Sequence, residues 1–435
     1  MGKTILIVCA APNGVLENRK PWMQPGAVME LAAMVPKDMD YKVVGWDESA
    51  KGPVPAGLLE ASSLVMLTGL TPSYYRLNEI ATFCKEHGVP VIAGGRDVIG
   101  WSMEDGGLDL LAERYPSFCT TGMSRDLMAQ ILSDSARGAL EQHYALPEGT
   151  PYEFVIPDRT VINPDDYVAK CCIRSSSGCN RRICGWCTVG GHSLYTKPTE
   201  MLEAELGGVK GKHWFFLDTS DSFAANRSFV TNTVLPIYKT SGMRWGTEVA
   251  VTDLLGPDGE GKLITAMKKA RCVVAYLGIE SVTRSGKIAG KSSRKMAEQV
   301  IRRCRHEGII VIGSLILDVF GDETVEENME TIHWARKWLD FAQFSDVAAL
   351  PGCQIRKDAL VAGTITETDW RKFDGANPTL QHNLSMERRS ELLTQAYVNF
   401  SSYPWIILRA LRARGILKVP VFLGGKRYRR GIPGL

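Results

Sequence analysis

The chain has 435 residues, 45% apolar and 23% charged, with a formal net charge of +3. That length exceeds one ordinary core and predicts two or three domains. So small a charge predicts no strong field, which argues against nucleic acid as a partner. No run of about 18 apolar residues exists to cross a membrane. Eleven cysteines in a long chain with no visible secretory signal point to a reducing cytoplasm, where clustered cysteines bind metal or do chemistry.

Residues 1–140 alternate two signals. TILIVCA, YKVVGW, SLVMLTGL and VPVIAGG are apolar runs of strand length, and GAVMELAAMV and YYRLNEIATFCKEHG are helical. In the second helix Leu77, Ile80, Ala81 and Cys84 share one face, Gly88 and Pro90 end it, and His87 reads as its C-terminal residue. The alternation predicts an α/β fold: an open parallel, Rossmann- or flavodoxin-like sheet covered by helices on both faces. Such sheets bind ligands at the carboxyl ends of their strands. Those ends read Thr68-Gly69-Leu70-Thr71, Gly94-Gly95 and Thr120-Thr121-Gly122. Residues 141–168 are rich in Pro, Asp and Glu, lack periodicity and read as a linker.

A second series fills residues 169–352. VAKCCIR, HWFFLDTSD, MRWGTEVAV, CVVAYLGIES, GIIVIGSLILDVF and FAQFSDVAAL are strands with helices between them. About six βα units predict a partial (β/α)6 barrel, since a closed barrel of eight needs about 250 residues. Residues 353–435 read as largely helical, with RRSELLTQAYVNF amphipathic. The basic tail (Lys418, Lys426, Arg427, Arg429 and Arg430) reads as a solvated terminus. Glu248 and His213 are the polar candidates on or beside strands, with ordinary satisfied residues as the plainer reading.

The stretch SSSGCNRRICGWCTVGGH spaces Cys179, Cys184 and Cys187 as Cys-x4-Cys-x2-Cys. The loop leaves the first strand of the second series, so it belongs at the barrel's carboxyl-end mouth, where catalytic groups of such barrels lie. Structural zinc would need a fourth ligand from His192, Cys171 or Cys172. A redox pair should open a helix in a thioredoxin-like unit. An iron–sulfur cluster on three thiolates leaves one iron open for chemistry. Gly178, Gly185, Gly190 and Gly191 let backbone amides approach a cluster. Cys171 and Cys172 point to opposite faces of their strand. They are either small apolar residues or, with Cys353, thiols for a soft substrate.

Taken in order, SSSGC…CGWC, WFFLDTSDSFAANR, LGIES, KSSR, SLILDVFGDETVEENMETIHWARKW and PGCQIRKDAL resemble the radical S-adenosylmethionine (SAM) enzymes that carry an N-terminal cobalamin domain. The resemblance covers nearly the whole chain. It implies a [4Fe-4S] cluster on Cys179, Cys184 and Cys187, with the methionyl amine and carboxylate of SAM on the fourth iron. It implies Trp186 near adenine, an ordinary core aromatic being the alternative. It singles out Asp218, Asp221, Phe223 and Asn226 in the second-strand signature, of which Asp218 is taken as a SAM contact. It adds SAM contacts from Gly278, Glu280, Ser281 and Lys291. PWMQPGAVMELAAM and VPVIAGGRD resemble the cobalamin domain, with Thr68, Thr71, Gly94 and Gly95 on the cofactor face. No Asp-x-His-x-x-Gly signature is present, which implies cobalamin held without a histidine below cobalt.

The chain also departs from the pattern. Its cysteine spacing has one residue more than the family's Cys-x3-Cys-x2-Cys, Asp322 is an added acid, Phe320 stands for Pro, and Cys353 stands where Thr is common. The activity implied is methyl transfer to an unactivated carbon of a small-molecule or natural-product precursor, with a flavodoxin- or ferredoxin-type electron donor. One alternative is 3-amino-3-carboxypropyl transfer to a metalloid or sulfur acceptor, with cobalamin dispensable. Another, of a different class, is a zinc- or cobalamin-binding regulatory protein without turnover.

Overall fold

The computed structural model describes residues 3–12, 20–181, 184–188, 193–257, 259–285 and 292–412. Lys291, His192, Gly190, Gly191 and the basic tail lie outside the described residues.

Six strands form the first sheet: β1 (Lys3–Cys9), β2 (Tyr41–Asp47), β3 (Leu64–Thr68), β4 (Val91–Gly94), β5 (Phe118–Cys119) and β6 (His143–Tyr144). They pair in parallel in the order β2-β1-β3-β4-β5-β6. Ile5–Val8 of β1 and Leu64–Leu67 of β3 are continuous apolar runs because both faces are covered. Ile5, Ile7 and Met66 pack with Val28, Met128 and Ile131 on one face. Leu6, Val8, Val65 and Leu67 pack on the other with Leu77, Ile80, Ala81 and Cys84, the helix face expected from periodicity.

The first core extends past residue 140. β6 falls inside the segment expected to be a linker, and Val155, Ile162 and Tyr167 are buried in the same core as Ile5. The Tyr167 hydroxyl donates to Asp47 Oδ2 at 3.0 Å. This stretch is irregular chain pinned by single buried side chains, so it carries no period to read.

The second sheet joins β7 (Cys172–Ile173), β10 (Phe215–Asp218), β11 (Arg244–Ala250), β12 (Cys272–Glu280), β13 (Ile310–Ile316) and β14 (Phe341–Ser345). Its strands are neighbours in chain order and all parallel, as six βα units require. Between β7 and β10, β8 (Ser176–Ser177) and β9 (Tyr195–Thr196) form an antiparallel ribbon. Strand parity divides the side chains. Phe216, Trp245, Leu277, Ile279, Val311 and Phe344 face the surrounding helices in one large core. Residues of the other parity, among them Leu217, Glu248, Tyr276, Gly278, Ser314 and Gln343, line the inside. There the Tyr276 hydroxyl donates to Gln343 Oε1 at 2.6 Å.

The amphipathic helix Met386–Phe400 lays Leu392, Leu393, Ala396 and Phe400 on the outer core. Ala410, on the helix Tyr403–Arg412, packs with Ile310, Val274 and Phe341 near the amino ends of the strands.

Candidate active site

The cysteine loop hangs from the β8–β9 ribbon. Gly178 has φ of 84°, a left-handed conformation natural to glycine, and a Cβ there would run into the Ser193 carbonyl oxygen. Its N–H donates to Asp221 Oδ2 at 2.8 Å, and the Ser176 N–H donates to Ser220 Oγ at 2.9 Å. Beneath them Asp218 is fully buried. Its Oδ2 accepts from Ser175 Oγ at 2.6 Å and from the Tyr238 hydroxyl at 2.5 Å. Its Oδ1 accepts from Ser220 Oγ at 2.6 Å and from the Ser220 N–H at 2.9 Å.

Asp218 shares the helix-facing parity of Phe216, so its carboxylate fastens the loop to the sheet and points away from the barrel interior. The other signature residues are also structural in placement. Phe223 is buried in the outer core, and Asn226 Oδ1 caps a short helix by accepting from the Phe229 N–H at 3.0 Å.

Cys179, Cys184 and Cys187 are half-buried, whereas seven of the other cysteines are buried; access to ligation therefore concentrates on this loop. Among the described residues no three His, Cys, Asp or Glu side chains are grouped as a single metal ion would require. The Cys187 N–H donates to the Cys184 carbonyl at 3.0 Å, and the Gly185 carbonyl accepts from the Ile355 N–H at 2.9 Å. Trp186 lies against an apolar group that includes Ile316, Val319, Val347 and Ala349, beyond the ends of β13 and β14.

Cys171 faces the outer core and Cys172 packs with Ala169 and Leu217 on the inner side. Burial pushes the Cys171 thiol up to about 12 and also raises Cys172 and Cys353. Thiols held protonated in apolar surroundings are poor nucleophiles and poor ligands, so these surroundings suit small packing residues.

The inner wall presents Gly278 and Glu280 from β12. Glu280 has φ of 68°, rare for a residue with a Cβ, beside a register shift between Gly278 and Glu280. Bulges of this kind re-aim side chains. Glu248, on β11, is exposed within this concave face, yet its carboxyl is raised by desolvation and then by Asp221 and Glu280. Glu248 therefore lies within electrostatic reach of Asp221 and Glu280 at the mouth.

Ser281 is buried behind Glu280, and its Oγ lies 3.4 Å from Glu323 Oε1. Glu323 keeps a buried Oε2 with no hydrogen-bond partner, and desolvation pushes its carboxyl up to about 7. An acid raised on folding stabilises the native state below its unfolded value and loses that contribution as pH rises through the folded one. The native chain is thus expected to lose stability between 4.5 and about 7 that Glu323→Gln retains, which thermal melts at about pH 5 and pH 8 would compare. The added acid Asp322 has a partner: Arg284 bridges it at 2.5 Å and Glu327 at 2.9 Å.

Across the mouth lie the carboxyl ends of the first sheet. Thr68 and Gly94 are paired neighbours on β3 and β4. Gly95 has φ of 86°, and a Cβ there would strike Thr68 Oγ1. Thr71 is buried at the start of a short 3-10 turn. Asp47-Glu48 at the end of β2 is internally committed: Glu48 pairs with Arg76 at 2.7 Å and accepts from the Ala11 and Val54 amides. Arg96, next after the glycine pair, reaches Asp221 of the second domain at 3.1 Å.

The other histidine candidates lie elsewhere. His213 sits in the turn before β10, at the amino end of that strand. His87 follows the helix Tyr74–Glu86 and stacks on Phe83.

No protein-family model matches the chain. It is 30% identical over 152 residues to an uncharacterized methyltransferase of Pyrococcus horikoshii, a match to 34% of this chain and 33% of that protein. The chain thus spans about a third of that relative. It is 22% identical over 384 residues to the bacteriochlorophyllide d C-8(2)-methyltransferase of Chlorobaculum tepidum, 80% of each chain. Among solved structures it superposes on the radical S-adenosylmethionine methyltransferase TsrM of Kitasatospora setae, with cobalamin and a [4Fe-4S] cluster bound. That match has a TM-score of 0.67 at 12% identity and covers 99% of both chains. This chain, an open parallel sheet followed by a second sheet of six parallel strands, therefore shares along nearly its whole length the fold of that solved structure.

Proposed function

We propose that this chain is a radical SAM enzyme that transfers methyl groups to a small-molecule substrate with the help of cobalamin. One observation carries the reading: three accessible thiols on a glycine-hinged loop at the carboxyl ends of the second sheet, directly across from the small-residue strand ends of the first. The donor set fits the groups. Cys179, Cys184 and Cys187 would hold the [4Fe-4S] cluster, and Gly278 and Glu280 would face SAM from the inner wall, with Ser281 behind Glu280. Thr68, Thr71, Gly94 and Gly95 would line the cobalamin face. These cofactors supply one-electron reduction and methyl-group chemistry; the protein's part is to orient them and exclude water. Cys171, Cys172 and Cys353 are buried, which favours packing roles for them over a soft-substrate site.

Anaerobic purification with metal analysis tests this reading. About four irons with matching sulfide and one cobalt per chain are expected, with SAM turnover dependent on a low-potential one-electron donor and methylated product. Iron without cobalt, with methylthioadenosine as product, would favour carboxypropyl transfer. Zinc alone would leave a regulatory protein.

A further inference from the structure

One short element beside the first sheet reaches the base and the tip of the cysteine loop, each through one intermediary. The helix Arg96–Ser102 starts at the glycine pair of β4. At its start Arg96 pairs with Asp221 at 3.1 Å, and the other oxygen of Asp221 holds the Gly178 N–H at the base of the loop. Just past its end, Glu104 accepts from the Gly352 N–H at 2.6 Å and from Arg356 Nε at 3.1 Å. Between these two residues the Ile355 N–H donates to Gly185, at the tip of the loop.

The joint is close and dry. A Cβ on Gly100 would lie 2.7 Å from the Pro351 carbonyl oxygen. Arg356 lies over Trp101 at 5.3 Å and Trp370 at 5.0 Å. The Glu104–Arg356 side chains are 8% and 9% exposed, so breaking that pair leaves a buried charge uncompensated. The Arg96–Asp221 pair differs, because Arg96 is 40% exposed. Exposed pairs contribute little stability, so this one matters for where it holds Asp221.

We infer that residues 95–104 couple the cobalamin face to the cysteine loop, with Arg96 and Glu104 as positioning residues. The inference rests on the proposed cofactor assignment. Ordering the glycine-pair end by a bound ligand steadies Arg96, hence Asp221, hence the Gly178 hinge. By reciprocity, a loaded cysteine loop tightens binding at the glycine pair by the same factor. A second ligand meets a chain already ordered by the first, so the coupling is positive.

Titrating hydroxocobalamin anaerobically into cluster-loaded and cluster-free protein, followed by absorbance, measures the factor. In the native chain cluster loading is expected to tighten cobalamin binding on the order of 5-fold or more. Arg96→Ala is expected to bring the ratio near one with the melting temperature nearly unchanged, and Arg96→Lys to restore most of it. The electron paramagnetic resonance spectrum of the reduced cluster should respond to cobalamin in the native chain and in Arg96→Lys, and fail to respond in Arg96→Ala. A native chain that binds iron and cobalt with a ratio of one overturns the coupling alone. So does an Arg96→Ala chain that keeps the native ratio and spectral response. A native chain that binds neither metal overturns the cofactor assignment and the coupling with it.

Discussion

Gly178→Ala is expected to abolish loading of the proposed cluster while leaving both sheets folded. Gly178 holds φ of 84°, where an alanine pays about 1–2 kcal/mol, and the new methyl group meets the Ser193 carbonyl across the ribbon. Relief requires β8 and β9 to part, which pulls the Gly178 N–H from Asp221 and displaces Cys179 beside it. The ribbon stands apart from both sheets, so neither large core is disturbed. Iron content should fall to a small fraction of native, and SAM cleavage by on the order of 10²-fold or more, the scale of a misplacement of about 1 Å in a reacting group. Gly207→Ala, on the exposed face of the helix Thr199–Val209, is the control: a Cβ there has open space around it, so iron content should stay native. Native iron in Gly178→Ala would show that the ribbon does not set the loop.

Asp218→Ala should act differently, by destabilising the chain before any cofactor is bound. The carboxylate takes hydrogen bonds from Ser175, Ser220 and Tyr238 in a fully buried setting. Its removal leaves three hydroxyls with lost partners, at a cost on the order of 3–5 kcal/mol. Urea denaturation of cofactor-free protein should show the loss, and Ser175→Ala a smaller one of about 1 kcal/mol. If Asp218 instead served SAM directly, the cofactor-free chain would keep its native midpoint and only SAM binding would weaken.

Asp218 also shows where sequence reading reached its edge. The motif WFFLDTSDSFAANR drew attention to the right strand, but its carboxylate belongs to the loop's foundation. The parity was visible, since Phe216 and Asp218 alternate with Leu217. Which parity faces the barrel interior depends on how β10 lies between β7 and β11. Glu248 was visible as a polar residue in a strand, and only the assembled sheet turns it toward Asp221 and Glu280. The segment 141–168 read as a linker because a buried irregular chain leaves no periodic trace.

The features legible along the chain are local: the alternation of β and α elements, the apolar strands covered on both faces, the helix face of Leu77, Ile80, Ala81 and Cys84, and the three cysteines on a glycine-rich loop. Each follows from neighbours within a few residues, through backbone sterics and the burial of apolar side chains. Tertiary structure decided which side Asp218 faces, that Cys171 and Cys172 are shut away, and that Arg96 and Glu104 reach the cysteine loop from the other domain. The last of these joins residues more than a hundred positions apart, Arg96 with Asp221 and Glu104 with Arg356. A hydrogen bond over such a separation exists only once two cores have packed, and nothing in the local sequence encodes its partner.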